Sequence, residues 1–197
     1  MENSVEKFKL RNGYEIPCIG FGTWDIRNEE LVVRAIKKAL DIGYRHIDTA
    51  SAYQNEKSIG RAIAEYPIDR EELFITSKVW ATERGYEKTL LSFEKTLKDL
   101  ALDYIDLYLI HWPASPNKLN NEILLSMAKK YDKSPAQICL RWCLQNEVIA
   151  LPKSITPSRI KENFEIFDFE ISQNDMTTIN GMPSFAWSGL DPDEVDF

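Results

Sequence analysis

Asp48, Tyr53, Lys78 and His111 are polar residues at, or just beyond, the ends of successive strand-like runs. Together they could move a proton. A tyrosine phenol has a free pKa of ~10, too high for easy proton donation and return at neutral pH. An ammonium such as Lys78 beside it would favour the phenolate and lower that value. Asp48 would pair with Lys78 and hold it in place. His111 could hydrogen-bond a substrate oxygen and orient it. Such a tyrosine could protonate a carbonyl oxygen as a hydride arrives at the carbon. The set has no obvious nucleophile and no metal, which makes hydrolysis the less natural chemistry. Each residue alone has a plainer reading: a cap or loop residue, a core aromatic with a wet hydroxyl, a solvated strand end, a packed ring. Their recurrence at strand ends outweighs those readings. His46, two before Asp48 on the same strand face, is given a structural role.

A second cluster lies near the C-terminus. Leu151-Pro152-Lys153-Ser154-Ile155-Thr156 leads from a strand into a helix, with Pro157 suited to the first helical position and Arg159 in the first turn. Free N–H groups at a helix start attract an anion. Lys153, Ser154 and Arg159 around that point make a phosphate pocket. A surface-charged helix start is the alternative. No Gly-x-Gly-x-x-Gly follows a strand, so a Rossmann cofactor site has no support.

The elements that must position these groups follow a rhythm. Phe8 to Ile16 reads as a hairpin around Arg11-Asn12-Gly13, and Cys18 to Gly22 as a short buried strand. A helix follows over Glu30–Ile42, capped by Asn28 and ended by Gly43. A strand over Tyr44–Ala50, a helix over Glu56–Glu65 and a strand over Leu73–Val79 come next. Tyr86, Leu90, Phe93, Leu97 and Leu100 mark one helix face, and Tyr104–Ile110 is a further strand. Such alternation means parallel strands joined by right-handed crossovers. A doubly wound sheet and a (β/α)8 barrel both fit. Polar residues at several strand ends favour the barrel, whose active sites are built there. After Pro113 the rhythm breaks. Helices over Asn121–Tyr131 and from Ser134-Pro135-Ala136-Gln137, a capping box, follow without a strand between them. A strand over Val148–Leu151, a helix from Thr156 and a helix start at Ser172 complete the regular part. About five core strands result, near Ile19, Ile47, Ile75, Leu107 and Ile149, where a closed barrel needs eight and typically ~250 residues.

The 197 residues suffice for one domain with a core, and 44% hydrophobic content fits a globule. A net charge of -7 argues against nucleic-acid binding. No stretch approaches the ~18 apolar residues that span a bilayer, so a membrane role is not expected. Three cysteines, Cys18, Cys139 and Cys143, are no disulfide framework and suit a reducing, cytoplasmic setting. Cys139 and Cys143 share a helix face; with two histidines in the chain they read as buried core residues, and no metal site is expected.

These motifs resemble the aldo-keto reductase family. The resemblance rests on Gly20-Phe21-Gly22-Thr23-Trp24, Tyr44 to Tyr53, Thr76-Ser77-Lys78-Val79-Trp80, Leu109-Ile110-His111-Trp112-Pro113 and Lys133 to Ser154. It implies a (β/α)8 barrel that reduces aldehydes or ketones with NADPH. On that resemblance Tyr53 is the proton donor, Lys78 and Asp48 tune it, and His111 orients the carbonyl. Trp24 and Trp80 would line the substrate pocket. Lys153, Ser154, Ile155, Thr156, Arg159, Glu162 and Asn163, with Gly22 and Thr23, would bind the cofactor. The chain departs from the family's pattern after Pro113. The family's Ser-Asn pair, Gln and nicotinamide-stacking Tyr do not appear, and a junction between Ala114 and Asn121 replaces three strands. The expectation is therefore one domain over residues 1–197, an incomplete barrel plus the N-terminal hairpin. Residues 1–113 would carry the tetrad and 121–197 the cofactor-phosphate site. Its alternatives are an inactive homologue that retains only adenosine-phosphate binding, or a self-associating fragment, a possible homo-oligomer.

Overall fold

The computed structural model describes residues 6–80, 83, 86–110 and 122–182. His111, the expected junction and the acidic tail beyond Met182 lie outside the described residues. The chain divides into two compact units, Met1–His111 with Ile149–Phe164, and Trp112–Val148 with Glu165–Phe197.

The first unit opens with the expected hairpin, β1 (Lys7–Lys9) antiparallel to β2 (Glu15–Pro17). Four parallel strands follow: β3 (Phe21–Gly22), β4 (His46–Asp48), β5 (Phe74–Val79) and β6 (Leu107–Ile110). Their spatial order is their chain order, without reversal. With right-handed crossovers, that order puts every connecting helix on one face of the sheet. A doubly wound sheet needs a reversal, so the order selects the barrel-type arrangement. The fifth strand expected over Val148–Leu151 is a single parallel bridge, Ile19 to Ala150. Val148 instead turns its N–H back to the Cys143 carbonyl, which leaves little chain to pair.

The helices are α1 (Glu29–Ile42), α2 (Glu56–Ala64), α3 (Tyr86–Leu100) and α6 (Pro157–Phe164). Asn28 Oδ1 accepts from Leu31 N at 3.0 Å, and Gly43 ends α1 in the left-handed region, both as expected. Tyr44, fully buried, packs its ring against Phe21 and Phe164 and ties α6 to the sheet. The apolar face expected for α3 is covered in part: Phe93 and Leu97 are half-buried and Leu100 is buried. Tyr86 is 83% exposed and Leu90 is exposed, whereas Ser92, Thr96 and Leu100 are buried. Ser92 and Thr96 go inward because Glu83 and Glu56 accept their hydroxyls.

The second unit contains α4 (Glu122–Tyr131), α5 (Pro135–Gln145) and α7 (Gln173–Asn180). Ser134 and Gln137 form the expected capping box, and Ser172 caps α7. Leu124, Met127, Ile138, Ile171 and Met176 form its core. Cys139 and Cys143 are half-buried rather than buried, Cys139 against this core, and Cys18 is buried. Burial pushes the Cys139 thiol up to about 11. Among the described residues no helix is long and apolar enough to cross a membrane.

Candidate active site

Register brings the polar residues onto one sheet face. Gly22 pairs with Asp48, Asp48 with Thr76, and Lys78 with Leu109. Paired residues in parallel strands share a face, as do residues two apart. His46, Asp48, Thr76 and Lys78 therefore point the same way. His46 is buried, and its Nε2 lies 2.9 Å from Thr76 Oγ1. Its structural role is the one expected.

Lys78 Nζ donates to both Asp48 carboxylate oxygens at 2.7 Å and to the Thr49 carbonyl at 2.9 Å. It lies 3.5 Å from the Tyr53 hydroxyl. Tyr53 sits in a single 3-10 turn, Ser51–Tyr53, directly after the end of β4. Ser51 Oγ donates to the Lys78 carbonyl at 3.1 Å, which pins that turn to β5. On the opposite face of β5, Ser77 Oγ donates to Glu56 Oε1 at 2.7 Å and Thr96 Oγ1 donates to Glu56 Oε2 at 3.3 Å. The strand that carries Lys78 is thus held from both sides.

Burial pulls the Lys78 ammonium down and pushes the Asp48 carboxyl up, and their mutual pairing opposes both shifts. Tyr53 is not lowered by Lys78, contrary to expectation. Burial, and after it the Asp48 charge, push the phenol up to about 12. The ammonium itself is bound closely by Asp48 and only distantly by Tyr53. Three of the four expected catalytic residues therefore meet; His111 lies outside the described residues. Trp24 is 54% exposed and Trp80 half-buried, each just beyond the end of a strand.

The expected cofactor residues flank the same strand ends. Gly22 N donates to the Pro152 carbonyl at 3.1 Å, so the segment before Lys153 lies beside β3. A side chain at Gly22 would have no room, since its Cβ would stand 2.8 Å from the Leu151 carbonyl oxygen. Thr23 is fully buried and donates Oγ1 to the Asp48 carbonyl. Ser154 is buried and accepts from Thr156 N at 3.1 Å, which shapes the entry to α6. Lys153, Ile155, Thr156 and Arg159 are exposed around that entry, and Glu162 and Asn163 are half-buried. Two exposed cations at a helix start fit a phosphate group. Sequence reasoning missed Asn55, which is buried and bonded to Thr23, Ile26 and Thr49. An asparagine just before a helix signals no more than a cap.

The chain is similar to known proteins along nearly its whole length. The Aldo/keto reductase family profile matches residues 18–121 and 114–182, two stretches that overlap where the junction is expected. The chain is 36% identical to the glyoxal reductase of Bacillus subtilis (strain 168), over 96% of this chain and 97% of that protein. That alignment runs over 267 positions against 197 residues here, so the relative carries a segment without a counterpart. Methylglyoxal reductase DkgA of Escherichia coli (strain K12) is 31% identical over 94% of this chain and 96% of that protein. The crystal structure of an aldo-keto reductase enzyme from a Medee basin deep-sea metagenome library superposes with a TM-score of 0.89. It is 34% identical and is matched over 96% of this chain and all of that one. With the polar face of its parallel sheet and these matches along nearly its whole length, the chain belongs to the aldo/keto reductase family.

Proposed function

We propose that this chain reduces small aldehydes and ketones to alcohols with NADPH, in the cytoplasm, with Tyr53 as proton donor. The observation that carries the reading is the contact set of Lys78, held by Asp48 at 2.7 Å and 3.5 Å from the Tyr53 hydroxyl at the strand ends. NADPH supplies the hydride when bound. Lys153, Ser154, Ile155, Thr156, Arg159, Glu162 and Asn163 would hold it by its adenosine-phosphate end, and Gly22 and Thr23 would also contact the cofactor. Exposed Lys153 and Arg159 at the start of α6 support that placement and the choice of a phosphorylated cofactor.

Tyr53, pushed up to about 12, keeps its proton in the resting site. It gives that proton up only to a stronger base. The carbonyl oxygen becomes one as its carbon accepts the hydride. The phenolate that remains is then stabilised by Lys78, whose position Asp48 fixes. His111 would orient the carbonyl, and Trp24 and Trp80 would bound the substrate. The names of the Bacillus and Escherichia relatives point to small dicarbonyl compounds as substrates.

Loss of NADPH absorbance with methylglyoxal tests the reading. Wild type should turn over, and Tyr53→Phe should reduce kcat by at least ~100-fold, the scale of general acid catalysis. Equal rates in the two proteins would end it. The segment that relatives carry and this chain lacks favours a second reading, adenosine-phosphate binding without hydride transfer. Equal affinity for NADPH and adenosine 2',5'-bisphosphate, with no turnover, is its mark.

A further inference from the structure

Asn55 precedes α2, where an asparagine commonly caps the helix with its own side chain. Here it makes no such bond. Its amide nitrogen instead donates to the carbonyls of Thr23 at 2.9 Å and Ile26 at 3.2 Å. Its amide oxygen accepts from Thr49 Oγ1 at 3.2 Å. The residue is 4% exposed, so water competes poorly for these bonds. The helix start forgoes its cap, and the side chain is used elsewhere.

Two loops meet at this one amide. The first presents exposed Trp24 between two buried anchors, Thr23 and Ile26, and both anchor carbonyls accept from Asn55. Thr23 is also held to the end of β4, where its N and its Oγ1 both donate to the Asp48 carbonyl at 3.0 Å. The second loop runs from Thr49 to Asn55 and carries the Ser51–Tyr53 turn. The Thr49–Asn55 bond closes it across its base. One planar group supplies two donors and an acceptor; aspartate has no donor and serine has one. We propose that Asn55 is a positioning residue that sets the Trp24 loop against the Tyr53 turn, and so the approach of a carbonyl substrate to the proton donor. The part that concerns substrate rests on the reductase reading above.

Hydrogen exchange on the full chain tests it, in wild type, Asn55→Ala and Asn55→Asp, beside kinetics with methylglyoxal and NADPH. Amides of residues 23–26 should exchange about tenfold faster or more in both variants, as expected for the loss of two buried hydrogen bonds. Amides of β4 and β5 should keep their rates. KM for methylglyoxal should rise about fivefold or more. Should Asn55→Ala lose protection throughout, Asn55→Asp decides, because it keeps the shape and the acceptor for Thr49. Unchanged exchange at 23–26 in Asn55→Asp, or an increase shared equally by β4 and β5, overturns the clamp. An active wild type with unchanged KM in both variants overturns the link to substrate. An inactive wild type ends the reductase reading instead, and the exchange result still decides the clamp.

Discussion

Lys78 answers to Asp48 before it answers to Tyr53, and the resting site is a held proton rather than a poised phenolate. The types of these residues were legible in the chain, because each closes a strand run. Their burial was not, and burial reversed the expected direction at Tyr53. His46 shows the other side of burial on the same face. Burial holds its imidazole at about 4 against an ordinary 6.5. The unfolded chain takes up a proton below pH 6.5 that the folded protein refuses until about pH 4. Stability from this residue is complete above pH 6.5 and declines as pH falls from 6.5 to 4, by about 3 kcal/mol in all. Urea titrations at pH 7, 5.5 and 4.5 should show a steeper decline for wild type than for His46→Gln. Parallel declines would contradict this account.

Elements were read well where local chemistry sets their limits. Asn28 and Gly43 bound α1, and Ser134 with Gln137 starts α5, because caps are short-range hydrogen bonds between neighbours in sequence. The stripe of α3 is buried only from Phe93 onward, because an apolar stripe is buried only where something covers it. Ser92 and Thr96 are drawn inward by carboxylates distant in sequence or on another element. Asn55 was missed because its partners, Thr23, Ile26 and Thr49, lie outside the helix it precedes. Packing between elements makes a sharper prediction at Gly60 in α2. A Cβ there would stand 2.2 Å from the Leu100 carbonyl oxygen at the end of α3. Alanine improves helix propensity by ~1 kcal/mol. Displacing backbone costs typically about 1–3 kcal/mol. Gly60→Ala should therefore lower the thermal midpoint, and a raised midpoint would show that α2 shifts freely.

At the scale of the molecule, the strand order and the hairpin were legible, and the two-unit division was not. Hydrophobic spacing marks which face is apolar, but it does not say which core that face joins. Ile138 is fully buried in the core of the second unit. Ile138→Ala should destabilise that unit by about 2–5 kcal/mol. Amides of α4, α5 and α7 should then exchange faster while those of β4 and β5 hold. Equal acceleration in β4 and β5 would mean that the two cores melt as one.

The bridge between Ile19 and Ala150 has a consequence for how such a shortened chain can arise. It joins the first parallel segment to the last, so everything between them is one loop to be closed on folding. Loop-closure entropy grows only with the logarithm of loop length. Removing roughly a third of the loop, the scale of the segment that the Bacillus relative has in excess, changes that cost by only ~0.4 kcal/mol, and in the favourable direction. The polymer physics of the chain is thus indifferent to the excision. The ends that carry Gly22 and Lys153 find each other as readily as before, and the register at that seam, not loop length, is what their pairing depends on.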